Sequence, residues 1–285
     1  MAETLWARLA GGFPPHDVPF LPREAGEGPR RLALVLAYCG QGWTGWQVQP
    51  DAPTLQGALE TALSTLCDQP IRVHASGRTD AGVHAWGQVA AFDTTSRLPA
   101  EPMLRGLRAL LPAGLWPRAL GPAAVDFHPR YQARGKTYDY YLWPGAETGL
   151  FLEPFCWPLK ERLDLAAMTA SLDQLRGEVD MAAFASQGSE AKGPTLRRLS
   201  QAQVAAQADG LLRVRLSASG FLRHSVRNLV GGLVQVGRGE LPPAALAQMA
   251  AAGRRIYAGP KAPPGGLYLN RVYFQSDPPE QDQAA

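Results

Sequence analysis

The 285-residue sequence predicts an α+β fold, and three observations carry that prediction. Strand-like and helix-like hydrophobic periods are interleaved along the chain. The first half orders them β-α-β-β-α-β, a split-βαβ pattern. The second half contains Asp209-Gly210 between two strand-like runs, a hairpin signal that favours antiparallel pairing. Helices packed on a largely antiparallel sheet satisfy all three.

Residues 1–30 are rich in Pro and Gly without a sustained period, and are expected to be a mobile or loosely docked extension. "RLALVLAYC" reads as the first strand. "TLQGALETALSTLCD" places Leu55, Leu59, Ala62, Leu63 and Leu66 at helical spacing, with Thr54 as N-cap. "IRVHASG" alternates as a half-buried strand, and "GQVAAFDT" is the next. "EPMLRGLRALLP" sets Met103, Leu104, Leu107, Leu110 and Leu111 on one helix face. Residues 31–129 make the N-terminal half and 130–275 the C-terminal half.

In that second half "KTYDYYLW" alternates Tyr138, Tyr140 and Leu142 against Asp139, Tyr141 and Trp143. "DLAAMTASLDQLRG" has Asp164 as N-cap, a stripe of Leu165, Met168, Leu172 and Leu175, and Gly177 as the stop. "FLRHSVRNLVGGLVQVGRG" reads as a helix with Leu222, Val226, Leu229, Val230 and Leu233 inward. "GLYLNRVYF" closes with a strand, and 276–285 reads as a disordered tail. No internal sequence repeat is visible.

Composition excludes several classes. Hydrophobic residues are 46% and charged residues 19%, an ordinary globular mix, and no apolar run reaches the ~18 residues of a membrane span. Three scattered cysteines without a CxxC suit a reduced cytoplasmic chain. No secretory signal is expected. Net charge is only +3, but from Lys192 to Arg227 seven cations (Lys192, Arg197, Arg198, Arg213, Arg215, Arg223, Arg227) face one acid, Asp209. That is either a solvated basic face or a surface for phosphate.

Gly40-Gln-Gly42-Trp-Thr-Gly45 fits a dinucleotide fingerprint, but Pro50 and Pro53 forbid the helix that must open at the glycines. The glycines instead shape a loop expected to present Trp43 and Trp46. Asp80 and His84 are spaced for chelation on a helix, yet Gly82 lies between them and no third ligand cluster is visible. A G-x-S-x-G nucleophile is absent.

Asp80 sits in "SGRTDAG", between two strands. It either caps a turn or, kept ionised by Arg78, acts as a nucleophile toward an electron-poor carbon. Arg223 and Arg227 are expected one turn apart at the start of a helix, where cations oppose the dipole and each other. That placement calls for anions nearby. "RYQARGKTYDYY" mixes aromatics with cations as base-stacking surfaces do, although a strand packing its core face gives the same stripe.

Five segments in order, "YCGQGWTGWQ", "ASGRTDAGVHAWGQV", "DFHPRYQARGKTYDYYLW", "SGFLRHSVRNLVGGLVQVGRG" and "APPGGLYLNRVYF", resemble the TruA family of tRNA pseudouridine synthases, from about Arg31 to Phe274. The resemblance places the family's catalytic aspartate at Asp80, its active-site tyrosine at Tyr138 and the arginine that pairs with the carboxylate at Arg227. Leu267 falls in the apolar wall of the pocket. Arg78, Arg223 and His224 join Tyr138 and Leu267 as substrate-binding candidates. Cys39 stands where the family usually has Asp.

The resemblance implies two similar split-βαβ halves whose sheets join into a central mixed, largely antiparallel sheet, with the active-site cleft between them. It further implies a homodimer acting on tRNA through the anticodon stem-loop and elbow, with no cofactor, metal, DNA or membrane. The reaction would convert uridine to pseudouridine on the 3′ side of the anticodon arm. Two other readings remain: a noncatalytic RNA-binding module on the same scaffold, and a nucleoside hydrolase or transglycosylase that also aims a carboxylate at C1′.

Overall fold

A computed structural model describes residues 12–22, 28–145, 151–186, 193–208 and 210–279. Among them the order is β1 (Arg30–Tyr38), α1 (Leu55–Cys67), β2 (His74–Ala75), β3 (His84–Thr94), α2 (Ala100–Leu110), β4 (Leu115–Pro122), β5 (Gly135–Pro144), β6 (Trp157–Leu159), α3 (Leu165–Asp173), β7 (Gly177–Asp180), β8 (Leu196–Ala206), β9 (Leu212–Ala218), α4 (Ser225–Gly237), α5 (Ala245–Ala252) and β10 (Leu267–Tyr273). The fold is α+β, as the interleaved periods predict. Pairings of β1 with β3 and β4, and of β9 with β5 and β8, are antiparallel, whereas β6 runs parallel to β5.

Two compact units are distinct. One is Pro14–Arg134 with Leu269–Ser276; the other is Gly135–Tyr268 with 12–13 and 277–279. In the first, called the N-terminal unit below, strands lie in the order β4-β1-β3 and the last residues of β10 follow beside β3. Leu32, Leu34 and Leu36 on one face of β1 and Ala33 and Val35 on the other are all fully buried, which explains why that strand is a continuous apolar run rather than an alternation. Thr54 caps α1, accepting from the Gly57 N–H at 3.2 Å. Its buried stripe of Leu55, Leu59, Ala62 and Leu63 matches the helical spacing. On α2 only Met103 and Leu107 are buried within the helix; Leu110 is 47% exposed, so the face predicted for it is narrower than its spacing implied.

Ahead of β1, Val18 is buried. Asp17 accepts from the N–H groups of Phe274, Gln275 and Ser276 and from the Ser276 hydroxyl at 3.0–3.1 Å, clasping the chain just after β10.

In the second, C-terminal unit the order is β5-β9-β8-β7. Asp164 caps α3, accepting from Ala167 N–H at 2.9 Å. That helix ends at Asp173, so Gly177 does not stop it; Gly177 opens β7 instead, and Leu175 is buried from the intervening turn. The β8–β9 hairpin forms with Ala206 opposite Leu212; Asp209 lies outside the described residues, as do residues 1–11, Lys192 and 280–285. Helix α4 is buried at every residue except Gln235, so it has no solvent face. Leu222, read as part of its stripe, precedes the helix and is half-buried.

Candidate active site

Asp80 is carried by the turn that joins β2 to β3. The loop leading to it is suspended from buried polar side chains. Ser76 N–H donates to Val89 O at 2.8 Å, and Ser76 Oγ bonds Gln88 Oε1 at 2.7 Å. Gln88 Nε2 donates to Gly77 O at 2.8 Å, and the Tyr38 hydroxyl meets Thr79 Oγ1 at 2.9 Å. Tyr38, Thr79 and Gln88 are all buried, where a lost partner is expensive. Burial raises the Tyr38 phenol well above its usual range, so it stays protonated and able to donate.

From below, Trp46 N–H donates to Thr79 O at 3.0 Å. This close approach requires glycine at 45: its φ is +104°, and a Cβ there would lie 2.9 Å from Thr79 O. Trp46 itself is 2% exposed and its ring packs 6.0 Å from Tyr38. Contrary to the expectation that the glycine loop presents both tryptophans, it seats Trp46 in the core beneath the Asp80 loop, and only Trp43 is half-exposed. With Thr79 fixed inward, Arg78 is exposed and Asp80 half-buried. The Asp80 backbone carbonyl closes the following turn by accepting from Val83 N–H at 3.2 Å. His84 Nδ1 accepts from Gly40 N–H at 3.1 Å, a structural bond. No group of three or more metal-type ligands exists among the described residues.

The C-terminal unit carries the other candidates. Arg227 lies in the first turn of α4 and is 8% exposed. A buried cation at a helix N-terminus is unfavourable without acceptors. One is Ala262 O, which accepts from Arg227 Nε at 2.7 Å, while Ala262 N–H donates to Arg227 O at 3.1 Å. The helix can approach this segment because residue 231 is glycine; a Cβ there would overlap the Pro260 carbonyl.

Arg223 does not stand one helical turn before Arg227, as its spacing suggested. His224 takes a left-handed conformation at the N-cap, φ 64°, so the helix starts after it and Arg223 stays exposed outside. The half-buried His224 bonds the Ser186 hydroxyl through Nδ1.

Tyr138 is half-buried on β5, its ring edge-on to Phe221 at 5.2 Å and 90°. Phe221 leads into Arg223 and His224, so the tyrosine and the start of α4 meet within one unit. Leu267 is 5% exposed at the first residue of β10. The opposite face of β5 holds Asp139, fully buried, in a two-point ion pair with Arg215 at 2.7 and 3.0 Å. Arg213 is buried as well. Of the cations read as one basic face, Arg198 and Arg223 are therefore exposed and Arg197 half-buried, Arg213, Arg215 and Arg227 belong to the interior, and Lys192 lies outside the described residues.

Tyr140 was not among the candidates. Its hydroxyl donates to Pro263 O at 2.7 Å, next to the residue that holds Arg227. Burial raises its pKa, and the Arg227 charge pulls back against that shift. Two alternating tyrosines on one strand were the only signal for it.

The structure thus places Asp80 on a pinned turn, Tyr138 half-buried beside Phe221, and Arg227 as a buried guanidinium. The family model described as "tRNA pseudouridine synthase" matches residues 34–132 and 172–275, and the chain belongs to that family. It is 42% identical to a tRNA pseudouridine synthase A of Geobacter sulfurreducens over 86% of this chain and 100% of the relative. Similar proteins of the same name occur in Geobacillus kaustophilus, 39% identical over 87% of this chain and 96% of the relative, and in Chromobacterium violaceum, 40% identical over 87% and 94%.

Proposed function

We propose that this protein isomerises uridine to pseudouridine in the anticodon arm of tRNA, working as a homodimer without metal or organic cofactor. The observation that carries the reading is similarity, across nearly their whole length, to proteins named tRNA pseudouridine synthase A, combined with an aspartate turn anchored to buried Tyr38, Thr79 and Gln88.

The reaction breaks N1–C1′, turns the uracil and joins C5 to C1′, while the C5 proton leaves and N1 gains one. Mass is unchanged. The base must leave its stack, which costs a few kcal/mol, and contacts from exposed arginines such as Arg78 and Arg223 to phosphate offset this. Asp80 is the attacking or proton-abstracting carboxylate. By the family resemblance Arg227 is the partner of that carboxylate, Tyr138 stacks on the uracil and relays a proton at C5, and Leu267 helps exclude water. His224, bonded to Ser186, shapes the approach to Arg227.

The test is incubation with tRNA transcripts followed by pseudouridine mapping. Wild type should convert anticodon-arm uridines without releasing uracil. Asp80→Ala should still bind tRNA and form no product, a loss of at least about a thousandfold in rate. Full turnover by that variant would remove Asp80 from the chemistry. Binding by wild type with no product would favour the noncatalytic module, and released uracil a hydrolase. Sedimentation at working concentration tests the dimer; a monomer that is fully active would overturn that part.

A further inference from the structure

Beyond the turn of Asp80, the N-terminal unit carries a group of rings at its surface. Tyr131 is 77% exposed. Its ring lies 4.3 Å from that of His128 at 35°, and His128 in turn lies 5.5 Å from His74. The Arg130 guanidinium stands 5.9 Å from the Tyr131 ring. A single exposed tyrosine calls for no explanation, but three rings in succession with a guanidinium form a surface of defined chemistry.

That surface is rigid before anything binds. Phe127 is 2% exposed and packs 5.2 Å from Phe274. Arg31 donates to the Phe127 carbonyl at 2.9 Å. Gln132 N–H donates to His128 O at 3.0 Å, and Gln132 Nε2 to Asp126 O at 3.2 Å. With Phe127 held inside, His128, Arg130 and Tyr131 are left facing outward without a loop to order, so binding loses little to that entropy. His128 Nδ1 accepts from Arg130 N–H at 3.2 Å, which leaves the ring proton on Nε2. Burial, and then the neighbouring His74, keep its pKa below 6.5. At neutral pH it is an uncharged ring with an outward donor.

We propose that this cluster is a stacking site for an unpaired base of the tRNA, with the base on Tyr131 and its phosphate on Arg130. Bases of any kind have a face for a phenol, and a guanidinium suits the phosphate. The site rests on the reading of the chain as a tRNA-modifying enzyme and adds to it a grip separate from the reacting groups. His74 opens β2 four residues before Arg78, at most ~14 Å of extended chain. The ring cluster therefore ends on the strand that feeds the Asp80 turn.

The test uses the full-length protein and a tRNA transcript carrying 2-aminopurine singly at each unpaired loop position. Wild type and Tyr131→Phe should quench one position on binding, and Tyr131→Ala should not. Tyr131→Ala should weaken binding by roughly ten- to a hundredfold with an unchanged salt slope, whereas Arg130→Ala should lower that slope by about one. Tyr131→Leu, which keeps bulk but not the ring, should behave as the alanine variant. Unchanged affinity with no Tyr131-dependent quenching would overturn the site. So would a shift in oligomeric state of the alanine variant, which would give the patch to a second copy of the chain. Failure of the enzymatic reading shows separately, as absence of pseudouridine from wild-type reactions.

Discussion

The turn that carries Asp80 hangs from hydroxyl and amide groups buried beneath it, whereas the helix that carries Arg227 is fixed by lack of space. In the turn each contact is a discrete hydrogen bond: Tyr38 to Thr79, Gln88 to Gly77 and Ser76. In the helix, twelve of thirteen residues are buried and the backbone of 231 lies against Pro260. A hydrogen-bonded suspension sets the direction of a side chain and gives way one bond at a time. A close-packed seat admits no extra atom. In the proposed mechanism the first serves a group that aims at a reacting atom, and the second a charge that stays in place.

Substitutions can break this contrast from either side. The largest effect should come from Gly231→Ala: one added carbon meets the Pro260 carbonyl, so helix or segment must shift. Overpacking of this kind destabilises by about 3 kcal/mol, seen as a lower denaturant midpoint. A fully stable variant would mean the seat is loose after all. Tyr38→Phe should come next. It strands the Thr79 hydroxyl at a loss of about 1–2 kcal/mol, and it should lower turnover more than tRNA affinity if Asp80 reacts. Equal losses in both would argue against a role confined to aiming.

The smallest effect tests a third kind of fixing, the Asp17 clasp. Burial would raise its pKa, but hydrogen bonds from Ser276, Phe274 and Gln275 hold it below 3.8. Because the folded value is depressed, the clasp contributes above 3.8 and is lost as pH falls through the lower folded value. Amide protection at 274–276 should fall over that acidic range in wild type and show no such step in Asp17→Asn.

Much of this was legible beforehand for physical reasons that operate locally. Thr54 and Asp164 cap their helices because a short oxygen-bearing side chain just before an apolar period reaches the unpaired N–H groups of the first turn. Asp80 stood out because a carboxylate between strands, bounded by glycines, is a small set of residues in one stretch. What escaped the reading depends on distant partners or rare backbone. Thr79 meets Tyr38 across 41 positions and Gln88 meets Gly77 across the β2–β3 turn, and only the register of the sheet reveals the first. The misplacement of Arg223 traces to His224, a non-glycine residue at positive φ; histidine is enriched there, but the conformation is too uncommon for sequence to single it out. Arg215 of β9 looked like surface charge because its partner, Asp139, lies on another strand. Leu110 and Gly177 show the narrower lesson that a periodic stripe does not reveal where a helix face or a helix ends.

One feature of the N-terminal unit bears on how a ribosome delivers it. Its residues 14–134 are made early, but the strand beside β3 comes from 269–273. The intervening Gly135–Tyr268 must be translated first, which at about 5–20 residues per second leaves β3 without that neighbour for roughly 7–30 s. Until then the nascent chain carries an open sheet edge, the kind that recruits chaperones or stray strands.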